Sequence, residues 1–162
     1  MRTEPANRPT MPARNGRSRP ATPAAVRVAH RFRAPAERVF RAWLEPELAG
    51  RWLFATASQP MTDVDIDPRV GGAFRFAERP DAGHAAHGRY VEIVPHRRLV
   101  FTLALADRPG VTRVTAEISP LKGGCELALL HEDVPADRAG ELEGRWTGIL
   151  YGLGETLDSL PR

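Results

Sequence analysis

The chain has 162 residues, and 42% of them are hydrophobic, so it is long and apolar enough for one domain with a buried core. Its formal net charge of +3 is unevenly placed: residues 1–25 hold five arginines against Glu4, a balance of +4, which leaves the rest at −1 and argues against nucleic-acid binding by the folded part. The single cysteine, Cys125, excludes an internal disulfide, and no stretch has the apolar length of a membrane helix or a signal sequence, so we expect a cytoplasmic protein without a membrane anchor.

The amino-terminal segment, residues 1–25, contains five prolines separated by small and charged residues, and nothing in it forms a core. This composition predicts a disordered arm, followed by a single domain over residues 26–162. Two interpretations of the arm stay open. It is either an arginine-rich segment that contacts nucleic acid or an acidic partner, or an extension without a role, for which Met11 offers an alternative start.

The domain is predicted to begin with a strand over Val26–Arg33, where apolar and polar side chains alternate and His30 falls on the apolar face. Two short helices follow. The first runs from Ala36 to Leu44, with apolar residues at helical spacing, and the second runs from about Glu47 to Leu53, with Pro46 between them.

Six further strands are predicted, separated by turns rich in glycine and proline. Short strands at regular spacing with short turns indicate an antiparallel meander. Their predicted ranges are Met61–Ile66, Phe74–Phe76, His87–Val94, Arg98–Ala106, Val111–Ile118 and Cys125–His131.

The last segment, Ala136–Leu160, is predicted to form one long amphipathic helix. Its apolar residues recur at steps of three and four, which places them on one face toward the sheet. The opposite face carries a glycine at every fourth position, and glycine costs about 0.5–1 kcal/mol relative to alanine inside a helix. One explanation is close approach of a second copy in a homodimer, and the other is a marginal outer face that the sheet supports. The apolar stripe comprises Leu142, Trp146, Ile149, Leu150 and Leu153, and the glycines are Gly140, Gly144, Gly148 and Gly152.

The order of one strand, two short helices, six strands and a long helix is that of the α+β helix-grip fold, a curved antiparallel sheet wrapped around a carboxy-terminal helix. Three segments and a dipeptide resemble the SRPBCC branch of the START-like superfamily, and more closely the proteins related to the activator of the heat shock protein 90 ATPase. They are VAHRFRAPAERVFRAWLEPE (28–47), DPRVGGAFRF (67–76), GRYVEIVPHRRLVF (88–101) and Arg145-Trp146. The resemblance implies the fold, and it leaves the role open among ligand carriers, aromatic cyclases and co-chaperone domains.

The helix-grip fold predicts a cavity between sheet and helix, lined by large apolar side chains with a few polar groups. We therefore predict that the protein binds a small hydrophobic molecule there, without a cofactor. The alternative is that the same side chains close the core with no ligand. The predicted lining residues are His30, Trp52, Phe54, Phe74, Phe76, Tyr90, Phe101, Leu103, Trp146 and Leu150.

Two further classes of function stay open at this point. An enzyme of the cyclase or hydrolase kind would use acid and base groups in the cavity, with His30, Arg89, Tyr90 and His131 as the candidates. A chaperone-assisting interaction domain would show an apolar patch on the outer face of the sheet.

No metal site is predicted, because the histidines lack a third ligand at suitable spacing. The alternating Asp63, Asp65 and Asp67 are expected to be solvated carboxylates beside Arg69 or Arg75, since the segment lacks the glycine bend and closing glutamate of a calcium loop.

Overall fold

The computed structural model describes residues 23–55 and 60–161. Within these residues, seven strands and three α-helices follow one another in the predicted order, and a 3₁₀ turn, Ala136–Arg138, precedes the last helix. The elements are β1 Pro23–Phe32, α1 Ala36–Leu44, α2 Pro46–Trp52, β2 Asp63–Ile66, β3 Ala73–Ala77, β4 Ala86–Val94, β5 Arg98–Leu105, β6 Thr112–Leu121, β7 Gly124–Pro135 and α3 Ala139–Asp158.

All seven strands form one antiparallel sheet in the order β1-β7-β6-β5-β4-β3-β2. The meander from β2 to β7 joins neighbours in sequence, and the first strand closes the far edge by pairing with the last. This confirms the predicted helix-grip architecture, with α1 and α2 as the connection between the two edge strands.

The strands β1 and β7 are longer than predicted, because their pairing continues past an irregularity. Pro23 pairs with Pro135 and Ala24 with Val134, whereas the next pair in register is Val26 with His131. Two residues of β7 therefore face one residue of β1, and Asp133 takes a positive φ of 66° there. Such a bulge keeps two strands paired while bending them, so β1 begins three residues before the predicted start.

The helix α3 packs its apolar stripe against the sheet. Leu142, Trp146, Leu150 and Leu153 are all buried, as predicted, and Ile149 lies at the edge of the stripe, half-buried. The glycines lie on the opposite face, where an added Cβ at Gly140, Gly144, Gly148 or Gly152 would meet no atom within 4 Å.

The main core lies between sheet and helices and is rich in aromatic side chains. Trp43 of α1 and Trp52 of α2 meet edge to face at 4.8 Å between ring centroids. Trp43 also stacks on Trp146 of α3 at 6.4 Å and contacts Phe101 of β5 at 6.0 Å. Each such pair adds about 0.5–1.5 kcal/mol to the gain from burial, so this cluster joins both short helices to α3 and the sheet.

Candidate functional site

A small internal cavity lies within the aromatic core, between β3, β4, β5 and the short helices. Its volume is about 10 Å³, which is room for a single water molecule. The walls are almost entirely aromatic or aliphatic. The lining residues are Trp43, Leu53, Phe54, Phe74, Phe76, Tyr90, Leu99 and Phe101.

The sheet positions most of this wall through strand alternation. Phe74 and Phe76 of β3 point inward because they are two residues apart, and both are buried. Gly88 of β4 pairs with Phe74 and leaves space for its ring. A Cβ at Gly88 would lie 2.8 Å from Cζ of Phe74 and would collide with the carbonyl oxygen of Thr102, so only glycine fits.

The outer wall of the cavity is Phe54, which follows the end of α2. Its ring lies 5.2 Å from Phe76 and 6.3 Å from Trp146. The backbone has a φ of 62°, a left-handed conformation that costs a non-glycine residue about 1–2 kcal/mol. Strain of this kind in a bulky residue indicates that the surrounding contacts hold it in place.

Phe54 also lines a surface groove of about 730 Å³ between the end of α2 and α3. This single half-buried side chain therefore separates the internal cavity from the groove. Across the groove lie the α3 glycines Gly144, Gly148 and Gly152, with Tyr151 beside them, 60% exposed.

The three tryptophan indole groups differ in their hydrogen bonding. Nε1–H of Trp52 donates to the carbonyl oxygen of Ala42 at 3.1 Å, and Nε1–H of Trp146 donates to Nδ1 of His131 at 3.0 Å. Nε1–H of Trp43 is buried as well, but it has no hydrogen-bond partner among the residues that the structure describes. A buried donor without a partner costs about 1–3 kcal/mol.

His131 of β7 is held by a chain of hydrogen bonds next to this core. Since Nδ1 accepts from Trp146, the neutral ring carries its proton on Nε2, which lies 2.7 Å from Oγ1 of Thr112. The Thr112 hydroxyl in turn donates to the carbonyl oxygen of Leu103 at 3.2 Å. Burial, together with the positive charge of Arg108, lowers the pKa of His131 to about 4, although Asp133 opposes the shift. His131 is thus a neutral structural link between sheet and α3.

Among the described residues of the cavity wall, Tyr90 has the one ionisable side chain. It is buried, and burial raises the pKa of its hydroxyl, with the nearby charge of Asp67 adding to the effect. The hydroxyl therefore stays protonated at every physiological pH and offers a neutral donor and acceptor.

The structure brings together half of the ten side chains predicted to line a ligand cavity. Phe54, Phe74, Phe76, Tyr90 and Phe101 meet there. Four others, Trp52, Leu103, Trp146 and Leu150, belong to the buried core around the cavity without lining it.

The remaining predicted residue, His30, lies elsewhere. It is half-buried beside Phe32, with ring centroids 4.8 Å apart, and lines a separate depression near the end of α3. His30 pairs with Leu127 and His131 pairs with Val26, so the two imidazoles on these adjacent strands do not meet.

Three lining residues escaped the sequence reasoning, namely Trp43, Leu53 and Leu99. Trp43 was predicted as an apolar residue at helical spacing in the first short helix. Helical spacing shows that such a residue faces the core, but it does not show which residues of the sheet it meets there. Leu99 sits in a strand whose middle residues are buried on both faces, so alternation does not mark the inward ones.

The acidic segment of β2 behaves as predicted. Nη1 of Arg75 lies 2.8 Å from Oδ2 of Asp63, Nη2 lies 2.6 Å from Oδ2 of Asp65, and Arg69 pairs with Asp67 at 2.9 Å. Within the described part of the chain, no group of three His, Cys, Asp or Glu side chains is placed to hold a metal ion. The helices described here include none that is long and apolar enough to cross a bilayer.

A curved seven-stranded antiparallel sheet, with its first strand paired to its last and its inner face packed on a carboxy-terminal helix, defines the helix-grip class of proteins. The chain belongs to the family described as activator of Hsp90 ATPase homolog 1-like protein, whose sequence model matches residues 33–158. This family is part of the SRPBCC superfamily, as the sequence predicted.

Solved structures of similar proteins carry the same fold. A Chromobacterium violaceum protein is 29% identical over 81% of this chain and 94% of its own, with a TM-score of 0.67. A Rhodobacter sphaeroides protein is 26% identical over 85% and 93%, with a TM-score of 0.71. The Aha1 protein of Colwellia psychrerythraea, a dimer in solution, shares 15% identity over 84% and 97%, with a TM-score of 0.67. A comparison with curated proteins gave no match.

Proposed function

We propose that the protein binds a small, predominantly aromatic molecule in the interior between its sheet and its helices. The observation that carries this proposal is the wall of the cavity, where six aromatic rings surround a small space and one half-buried residue, Phe54, lines both this space and an open groove. Ligand sites are typically apolar with a few fixed polar groups, and Tyr90 and Trp43 supply those here. The family's general association with hydrophobic ligands supports the same conclusion.

Binding requires that Phe54 move, since 10 Å³ holds no organic molecule. Turning this ring outward would join the interior to the groove of about 730 Å³. The movement gives up the edge-to-face contact of Phe54 with Phe76, a loss that contacts between the ligand and the wall would replace. The proposal is therefore a site that forms when its outer wall opens.

Binding is favoured over catalysis because the wall holds no acid and base pair among the described residues. Tyr90 is the one titratable group there, and its raised pKa keeps it neutral. Of the other candidates, His30 lies in a different depression and His131 uses both ring nitrogens in structural hydrogen bonds. An acid/base reaction in this interior would thus lack its second group.

An apolar interaction patch on the outside of the sheet also finds little support. The outer faces of β1, β6 and β7 line a shallow depression that includes Arg27, Arg113, Glu117 and Glu132. A depression that carries charged side chains of both signs is typical of a solvated surface rather than of an apolar interface.

The test is calorimetric titration of the whole protein with 2-acetonaphthone, a bicyclic aromatic ketone. We expect saturable binding with a dissociation constant on the order of 10 μM, from the usual affinity per atom of small ligands. Phe76→Leu, which alters the wall, should weaken binding about tenfold. His30→Ala, outside the cavity, should leave it unchanged, and thermal unfolding of both variants verifies that they fold. If the wild-type protein shows no saturable binding, the proposal is rejected. If both variants weaken binding equally, the probe binds outside the internal cavity.

We also propose a homodimer through the glycine-lined face of α3. Two copies of α3 packed antiparallel about Leu150 would set Gly148 against Gly152, where close approach is possible. The same arrangement would bring Arg145 opposite Glu155 of the other copy, and both side chains are exposed at the groove. Charge complementarity, and the open space beside the glycines of this face, favour a second copy as the occupant.

A further inference from the structure

One buried polar group in the proposed site is left without a partner, and it points to the chemistry of the ligand. Trp43 is 2% exposed, lines the internal cavity, and has an indole N–H without a hydrogen-bond acceptor among the described residues. Its two neighbouring tryptophans, Trp52 and Trp146, both have acceptors, at 3.1 and 3.0 Å. The contrast is informative because all three rings belong to one packed cluster.

An aromatic ring alone would fill this position without the penalty. Phenylalanine offers similar apolar contacts and has no N–H to desolvate, whereas an unpaired buried donor costs about 1–3 kcal/mol. The cost disappears if an acceptor occupies the adjacent space. The described residues that line the cavity include no carboxylate, so no charged side chain of this wall accepts the hydrogen bond.

We infer that the ligand carries a hydrogen-bond acceptor, a carbonyl, ether or hydroxyl oxygen attached to an aromatic body, and that the indole N–H of Trp43 donates to it. The wall contains no cationic side chain among the described residues, so a neutral oxygen suits it better than a carboxylate. Tyr90 lies buried in the same wall, and its neutral hydroxyl is able to bond a second oxygen of the ligand, where there is one. The ligand class is thus a small neutral aromatic molecule with one or two oxygen substituents. This inference rests on the proposed ligand site.

Matched probes test it in the wild-type protein. Acetophenone and α-methylstyrene have nearly the same shape, but the first has a carbonyl oxygen where the second has a methylene group. The bicyclic pair 2-acetonaphthone and 2-isopropenylnaphthalene repeats the comparison at a larger size. We expect each ketone to bind about tenfold more tightly than its hydrocarbon partner, the gain of one hydrogen bond to a donor otherwise unpaired.

The three indole N–H signals in proton–nitrogen correlation spectra show which tryptophan donates to the ketone. On addition of ketone, the Trp43 signal should move downfield, while the Trp52 and Trp146 signals, already hydrogen-bonded, should move less. Trp43→Phe should abolish the preference for the ketone, whereas Trp52→Phe, which removes a paired N–H, should keep it. The wild-type spectra decide the matter even if a variant fails to fold.

The outcomes separate the two proposals. Equal affinity for ketone and hydrocarbon, with a stationary Trp43 signal, would overturn this inference, leave the ligand site standing, and point to a water molecule as the acceptor. No binding by any of the four probes would reject the ligand site itself and this inference with it. Preference for ketones that persists in Trp43→Phe would also overturn it, since another group would then supply the donor.

Discussion

At the scale of single residues, the chemistry of this protein depends on how each buried polar atom is partnered. His131 illustrates a group that is fully used, with Trp146 donating to one ring nitrogen and Thr112 beside the other. Trp43 illustrates the opposite, a buried donor with no described partner. The sequence offered His131 as a candidate acid or base group, but its hydrogen-bond partners come from distant segments, and strand or helix periodicity does not reveal them.

The hydrogen bonds of His131 predict a stability that depends on pH. Protonation would place a second N–H against the Trp146 donor, which agrees with a folded-state pKa of about 4, below the 6.5 of a free histidine. The unfolded chain therefore takes up a proton as pH falls through 6.5, and the folded one does so only near 4. Between these values we expect unfolding free energy to drop by up to roughly 3 kcal/mol.

Urea denaturation of the wild-type protein and of His131→Gln at pH 7, 6, 5 and 4 measures this effect. Other groups titrate in the same range, so the difference between the two curves isolates His131. The difference should shrink as pH falls, because glutamine does not titrate. A constant difference across the range would show that His131 does not take up its proton on unfolding.

At the scale of elements, the periodicity of the sequence predicted each strand and helix that the structure describes. The alternation of apolar and polar residues predicted β1, and apolar residues at steps of three and four predicted the buried stripe of α3. Both patterns follow directly from backbone geometry. The pattern did not predict the full length of the strands where their pairing continues beyond the alternating residues, as it does past the bulge of β7. The packing across the core, including the reach of Trp43 to the cavity, depends on contacts between elements and leaves no local signal.

The glycine face of α3 gives a prediction at this scale. If two copies meet there, Gly148→Leu should shift the protein from dimer to monomer, since its side chain would separate the helices by several ångströms. In one copy a Cβ added at Gly148 meets no atom within 4 Å, so folding should be unaffected. Thr147→Leu, exposed on a neighbouring part of the helix and outside the groove, serves as control.

Sedimentation velocity at micromolar concentrations distinguishes the outcomes. A dimeric wild type and Thr147→Leu with a monomeric Gly148→Leu would support the interface. A monomeric wild-type protein at these concentrations would exclude the dimer interface. The glycines would then lower the stability of an outer helix face that the sheet supports. A dimer that survives Gly148→Leu would place the interface elsewhere.

At the scale of the whole molecule, the fold positions the aromatic cavity, its outer wall and the α3 face in one region. Phe54 lines both the cavity and the groove, and Gly148 and Gly152 line the same groove. The proposed ligand route and the proposed dimer interface therefore share a surface. The sequence predicted five of the eight lining residues, because inward-facing strand positions are periodic, but it left open whether these side chains surround a ligand or close the core.

A crystal structure of the protein with 2-acetonaphthone would show whether the interior opens to hold an aromatic ligand. We expect the naphthalene rings between Phe74, Phe76 and Phe101, the ketone oxygen within hydrogen-bond distance of Nε1 of Trp43, and the Phe54 ring displaced toward the groove. A structure with Phe54 in place and the probe confined to the surface groove, or with no bound probe at saturating concentration, would contradict this expectation.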